Sequence, residues 1–310
     1  MITLREALTE YLDQRRRLGF KLLNVQQLGG QFCTWLIEKG RIDTFTIDDA
    51  VAWATDHTAS PSWSGYRLSA IRPFAGYLNT TGWNVPIIPA GLLPCGDRRA
   101  APFIYSQHDL DALLNVCPQL FGDIRIKATM RTLICLLAVT GLRISEALAL
   151  TVADIDTKTN VMTVRAGKSA ERVIALHPST TAALIEFIQL PERLATQPTP
   201  TGPIFVTNKG TRYALNSIET KFHRLVRAAG LRPRGRARPR LHDLRHTFVT
   251  AHMVATYKNG GDPQRTLTLL ATWLGHTKAA NTYWYLTAVP ELMALAAGHL
   301  EPLIVEGTAL

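Results

Sequence analysis

The sequence predicts a mainly α protein in two parts: a small helical domain, then a larger mixed domain that is mostly helical and holds a small β-sheet. Three observations predict it. Apolar residues recur at helical spacing through residues 1–82, with nothing that reads as a strand pair. Prolines 86, 89, 94 and 102, with Gly91 and Gly96, then break the periodicity over residues 83–103 and mark a linker. Beyond it, only VMTVRAGKSAERVIAL at 161–176 has the paired β-branched runs of a hairpin. A chain of 310 residues is long for one core and comfortable for two.

Thr3-Leu4-Arg5-Glu6 is a capping-box pattern ahead of Leu4, Ala7, Leu8 and Leu12, so the first helix runs to about Gly19. Further helices are expected over 22–39, 46–57 and 62–80, with Gly29, Gly30 and Pro73 weakening the second and fourth. In the second domain, 104–310, Ser106 caps a helix over Asp109–Leu114. An apolar helix follows over 125–139 and breaks at Thr140-Gly141, and another opens at Leu142 and runs to about Leu150. The hairpin places Lys168 at or beside its tip. Ser179 can cap a helix over 179–190, PERLATQPTPTGP is a loop, and the remainder is mostly helical apart from LRPRGRARPRLHDLRH at 231–246.

Hydrophobic residues make up 46% of the chain and charged residues 19%, which suits globular structure throughout. The formal charge of +10 is uneven: residues 1–100 hold 11 Lys and Arg against 9 Asp and Glu, residues 101–310 hold 23 against 15. A basic half of this kind points to a polyanion as partner, although a merely soluble basic protein has the same composition. No apolar run approaches the roughly 20 residues of a membrane span, and MITLREALTEYL lacks a signal-peptide pattern, so a cytoplasmic protein is expected. Cys33, Cys95, Cys117 and Cys135 have no Cys-x-x-Cys spacing, which argues against a zinc ribbon or disulfide framework.

Several residues are candidates for chemistry. Arg232, Arg234, Arg236, Arg238 and Arg240 alternate with Pro233, Gly235 and Pro239, which prevent a helix; an extended basic strap along a phosphate backbone and a solvated loop both fit. The strap runs into His242-x-x-Arg245, whose spacing on a helix lets both side chains address one anion. His242 and His246 also have the spacing of a helical zinc pair, but the glutamate of HExxH and a third ligand are missing, and no metal or other cofactor is expected. Arg143 and Glu146, in TGLRISEAL, share a helix face and read alone as a surface ion pair. Arg67 and Arg72, beside Trp63, Tyr66 and Tyr77, fit either a phosphate-tracking helix or ordinary solvated arginines. In LGHTKAANTYWYLT, Tyr283 and Tyr285 are two apart and would point to nearly opposite sides of a helix, so at most one faces a given site.

Taken together, TGLRISEAL, the lysine in AGKSAER, HDLRHTF, and LGH followed nine residues later by a tyrosine resemble the tyrosine recombinases, the lambda-integrase family of site-specific DNA recombinases. The resemblance covers the whole chain and implies an N-terminal core-binding domain, 1–82, ahead of a catalytic domain, the two forming a C-shaped clamp on duplex DNA. Carried over position by position, Tyr285 matches the nucleophile and Tyr283 does not. Arg143 and Arg245 match the arginines that hold the scissile phosphate, and His242 and His276 the histidines that bond it or assist proton transfer. Lys168 matches the general acid, in a hairpin turn shorter than the family's usual one, and Glu146 the supporting acid.

The resemblance further implies a covalent 3′-phosphotyrosine, a tetramer on two DNA sites that is monomeric or weakly associated without DNA, and accessory recombinases as further partners. It also implies a C-terminal segment, from about residue 288, that docks on a neighbouring subunit. A bacterial mobile element, acting at the nucleoid, is the expected setting. A nicking-closing enzyme of the type IB topoisomerase kind, a non-cleaving DNA-binding accessory protein and a metal-dependent nuclease are the competing readings.

Overall fold

The computed structural model describes residues 2–56, 60–94, 101–165, 171–199, 201–275, 292, 293 and 295. The chain divides into two compact units, residues 1–99 and 100–310.

In the first unit four helices share one core: α1 (Leu4–Arg17), α2 (Leu23–Glu38), α3 (Ile47–Thr55) and α4 (Pro61–Thr80). Their starts are set locally. Thr3 Oγ1 accepts from the Glu6 amide while Glu6 accepts from the Thr3 amide at 2.7 Å, and Thr46 and Asp49 repeat the arrangement at α3. Leu8 and Leu12 of α1, Phe32 and Leu36 of α2, Trp53 of α3, and Leu68, Ile71 and Phe74 of α4 are buried together. Gly29 lies where α1 meets α2: a Cβ there would stand 3.0 Å from Leu8 Cδ1, so the helix accepts a poor helix former for close approach. α4 continues through Pro73. Within 83–94, Val85 and Ile88 are buried in this core, so the proline-rich stretch begins as part of the first unit.

The second unit holds α5 (Gln107–Leu120), α6 (Ile124–Thr140), α7 (Ile144–Ala149), a three-stranded antiparallel sheet, and α8 (Pro178–Ile188) to α12. The sheet has the order β1 (Ile155–Asp156), β2 (Val161–Val164), β3 (Arg172–Ala175), with Val164 opposite Arg172. The hairpin is as expected; β1, only two residues long, adds a strand that carries too little pattern to be read. Met162, Val164 and Ile174 turn inward to a core that includes Leu133 and Leu137 of α6 and Phe222 of α10 (Leu215–Ala228).

Two elements differ from expectation. α8 is capped by His177, whose Nδ1 accepts from the Ser179 amide, rather than by Ser179. The expected loop after residue 190 opens with a single helical turn, α9 (Pro191–Leu194). The reason is Arg193, 2% exposed, whose guanidinium donates to the carbonyls of Ile188, Pro203 and Ile204 and closes the loop on itself.

α11 (Asp243–Lys258) and α12 (Pro263–Leu274) complete the unit. Phe248, Val249 and Met253 of α11 pack against Leu267, Leu270 and Leu274 of α12, and Leu292 joins them. No helix among the described residues is long and apolar enough to cross a membrane.

Candidate active site

Gly141 positions the first arginine. α6 ends on it in the left-handed conformation, φ +63°, and a Cβ there would fall 2.6 Å from Phe248 Cδ1, so only glycine ends the helix here without strain. The chain then turns into α7, with Arg143 at its N-cap rather than inside the first turn. Glu146, 1% exposed, accepts from the Arg143 amide at 3.0 Å and from Arg143 Nη1 at 2.8 Å. The pair read from sequence as a surface ion pair is therefore closed on a buried carboxylate. Arg143 itself keeps 25% of its side chain exposed.

A second arginine shares that carboxylate. Arg172, on β3, donates to Glu146 Oε1 at 3.2 Å and Oε2 at 2.8 Å, and its Nε donates to the Trp273 carbonyl at 2.8 Å. Burial would push the Glu146 carboxyl up; hydrogen bonds from Arg172 and the Arg143 amide outweigh it and hold the group below the usual range. Glu146 is a carboxylate at neutral pH.

Arg245 lies in the first turn of α11 and is 1% exposed. It donates to the Gly141 carbonyl at 2.7 Å and the Leu274 carbonyl at 3.0 Å, joining the end of α6 to the end of α12. Those acceptors are neutral, so they fix the guanidinium without cancelling its charge. Trp273 reinforces the junction through its indole N–H on the Thr140 carbonyl at 2.8 Å. His242 stands just before α11. Burial, then the positive charges of Arg245, Arg240 and Arg143, lower its pKa against the opposing pull of Asp243, so it is neutral at pH 7.

Arg143, His242 and Arg245 are thus brought within electrostatic reach of one another, from positions separated by about a hundred residues. His246 is 5% exposed with its ring 5.2 Å from that of His242, edge to face. No group of three His, Cys, Asp or Glu among the described residues could hold a metal ion. Lys168, His276, Tyr285, and with them Tyr283, lie outside the described residues.

The arginines assigned to DNA separate into two kinds. Arg234 donates to both oxygens of Asp109, at 2.9 and 2.7 Å, and lies over the Phe103 ring, while Arg240 pairs with Asp243 at 2.7 Å. These two pin the 231–242 segment to the unit's body. Arg232, Arg236 and Arg238 are exposed and have no acid partner among the described residues. In the first unit Arg67 is 8% exposed and lies over the Trp53 ring at 4.2 Å, and Arg72 donates to the carbonyls of Ile88 and Pro89. Both serve their own unit's packing. The aromatic pair beside them, Trp63 and Tyr66, is the exposed feature: the rings stack at 5.3 Å, with Asn24 donating to the Tyr66 hydroxyl.

Sequence reasoning missed Arg172 and Trp273. Arg172 carried a signal, since it stands four residues after the hairpin lysine on a short β-branched strand, where an inward-facing arginine needs a buried acid.

A carbonyl-anchored Arg245, a neutral His242 and a partly exposed Arg143 within electrostatic reach of one another make an arrangement suited to holding an anion. The sequence profile of the phage integrase family matches residues 105–291, and the chain belongs to that family. A Sinorhizobium fredii protein, provisionally named integrase/recombinase y4rB, is 37% identical over 97% of this chain and 98% of its own length. Tyrosine recombinase XerC of Chlamydia muridarum is 30% identical over 71% of this chain and 64% of its own. Among solved structures, the Tn1549 transposon integrase bound to transposon right-end DNA has the same fold: TM-score 0.67, 18% identity, 97% of this chain and 99% of that one. A lambda integrase dimer bound to a core site gives 0.65, with 15% identity and coverage of 92% and 77%. The resemblance drawn from the sequence motifs is thereby confirmed at the level of family and fold.

Proposed function

We propose that this chain is a site-specific recombinase that cleaves and rejoins DNA strands through a covalent 3′-phosphotyrosine. Tyr285 Oη attacks the scissile phosphorus, the P–O5′ bond breaks, and the leaving 5′ oxygen takes a proton from Lys168. Neutral His242 accepts or relays the tyrosine proton, His276 bonds the phosphate, and Arg143 and Arg245 meet its non-bridging oxygens. Because one phosphodiester is exchanged for another, a 5′-hydroxyl from a second strand reverses the step with no hydrolysis, nucleotide or metal.

The observation that carries this reading is the anchoring of Arg245 and Arg143. Fixed positive charge that needs no reorganisation is what a stable, anionic diester and a neutral phenol, pKa about 10, require. Partners follow from the same reading: duplex DNA contacted through Arg232, Arg236 and Arg238, a tetramer on two sites, and accessory recombinases. A role in moving DNA, as integration, excision or transposition within a bacterial cytoplasm, is supported by relatives named as integrases and by the fold shared with a transposon integrase.

The test incubates the protein in EDTA with supercoiled DNA spanning its own gene and flanks, then denatures and looks for DNA attached to protein. An adduct lost in Tyr285→Phe and kept in Tyr283→Phe is expected. An adduct that needs metal, or one lost only in Tyr283→Phe, refutes the assignment. DNA relaxation without exchange between two duplexes would instead identify a nicking-closing enzyme.

A further inference from the structure

The first unit carries an exposed surface made of amides and aromatic rings. Asn24, Gln27 and Gln31 follow one another at three- and four-residue steps, so they line one face of α2. Trp63 and Tyr66 of α4 face them, 42% and 40% exposed, and the two sets enclose a cleft of about 220 Å³ that buried Leu28 also lines. The aromatic side is held in place: the rings stack at 5.3 Å, and Asn24 Nδ2 donates to the Tyr66 hydroxyl at 2.6 Å. The amide side is open, since the exposed side chains of Gln27 and Gln31 make no hydrogen bond among the described residues. Among those residues no charged side chain lines the cleft. The cations expected to track a phosphate backbone from this unit, Arg67 and Arg72, are committed to the Trp53 ring and to the carbonyls of Ile88 and Pro89.

Such a surface is unsuited to phosphates, which take cations, and suited to base edges. A glutamine carboxamide donates through nitrogen and accepts through oxygen, the complement of the adenine N7 and N6 edge in the major groove, and a groove about 12 Å wide admits a helix. An apolar ring beside the amides meets the thymine methyl, which stands in the same groove. We propose that Gln27 and Gln31 are specificity determinants that read adenines in the recombination site, with Trp63 and Tyr66 against the methyl of a neighbouring thymine. The proposal rests on the recombinase reading above and adds which bases the first unit selects. The glutamines are four residues apart, about 6 Å along the helix axis, and base pairs rise about 3.4 Å, so the two A·T pairs lie within about two steps of each other.

The experiment selects bound duplexes from a random pool with the full chain, as wild type, Gln27→Ala, Gln31→Ala and Trp63→Ala, with a melting curve for each. Both glutamines are exposed on a helix, where alanine is well tolerated. Wild type is expected to enrich sites with two A·T pairs at this separation. Each glutamine variant should lose about 5- to 150-fold of discrimination at one of them and keep the others unchanged. Selected sites are then rebuilt with an adenine analogue that carries carbon in place of N7, and with uracil, which lacks the thymine methyl. The adenine analogue should weaken wild type and leave the matching glutamine variant unaffected; uracil should weaken wild type and leave Trp63→Ala unaffected. A fold defect lowers affinity for every duplex alike and cannot produce that pairing of base with variant. Glutamine variants that select wild-type sites at wild-type strength, that weaken on all sequences equally, or that still respond to the analogue overturn the proposal. Adduct formation on the protein's own DNA is measured alongside. A wild-type adduct with selection unchanged in the variants refutes this proposal alone, whereas a wild type that selects no sequence and forms no adduct refutes the recombinase reading with it.

Discussion

Replacing Arg245 by lysine keeps the charge and removes the fork. In the structure two nitrogens of the guanidinium reach carbonyls on different segments, Gly141 at 2.7 Å and Leu274 at 3.0 Å, in a position 1% exposed. A single ammonium group cannot hold both and also face a phosphate. A hydrogen bond from a charged donor is worth about 1.5–3 kcal/mol, and one of the two is lost, so the unit should be destabilised by about that amount. For a unit of this size that is a fall of roughly 3–12 °C in melting temperature. The effect on cleavage should be larger, since a misplaced transition-state donor costs about 10²–10³ in rate. Single-turnover adduct formation with protein in excess, beside melting followed by circular dichroism, measures both. An Arg245→Lys protein that melts like wild type and cleaves within about tenfold of it would refute both roles given to the guanidinium.

Three further outcomes follow from other sites. Arg193→Ala leaves the carbonyls of Ile188, Pro203 and Ile204 without their buried donor and should cost at least about 3 kcal/mol; a urea-midpoint change equivalent to less than about 1 kcal/mol would count against it. Gly141→Ala must bear a left-handed conformation and a contact with Phe248, together about 2–5 kcal/mol, and a melting temperature equal to wild type would show that the α6 end is not held as described. Acid should destabilise the second unit in two stages. His242 and Glu146 both have lowered pKa values in the folded state, so the unfolded chain takes up each proton first and stability falls as pH falls. The histidine stage begins near its ordinary value of about 6.5 and the glutamate stage near about 4.3. His242→Gln should flatten the decline between pH 7 and 5, and a decline of unchanged steepness would place its cause elsewhere.

Local signals were the legible part of this fold. Thr3 and Ser106 cap the helices that the sequence opens with them, and the break at Thr140-Gly141 is a helix end because only glycine adopts that conformation without penalty. Residues that depend on distant partners were not legible. Arg234 reads as one more member of a basic run, yet its acid, Asp109, is 125 residues away. Arg67 and Arg72 read as a basic helix face because a sequence shows charge and not the ring or carbonyl that the charge rests on. The same holds for Arg172, whose role depends on a carboxylate presented by another element. In the candidate site, short motifs single out Arg143, His242 and Arg245, but the carbonyls that fix Arg245 belong to the ends of two helices and no motif encodes them.

The pinning of Arg234 and Arg240 to acids changes how the arginine loop responds to ionic strength. Five arginines on phosphates would release counterions enough for a slope of about −4.5 in log affinity against log salt, whereas three give about −2.7. A fourfold rise in salt then weakens the loop's contribution by roughly fortyfold rather than roughly five-hundredfold. In the proposed complex, a loop with two of its five charges already paired within the chain binds DNA less strongly in dilute buffer and loses a smaller share of that binding as salt rises.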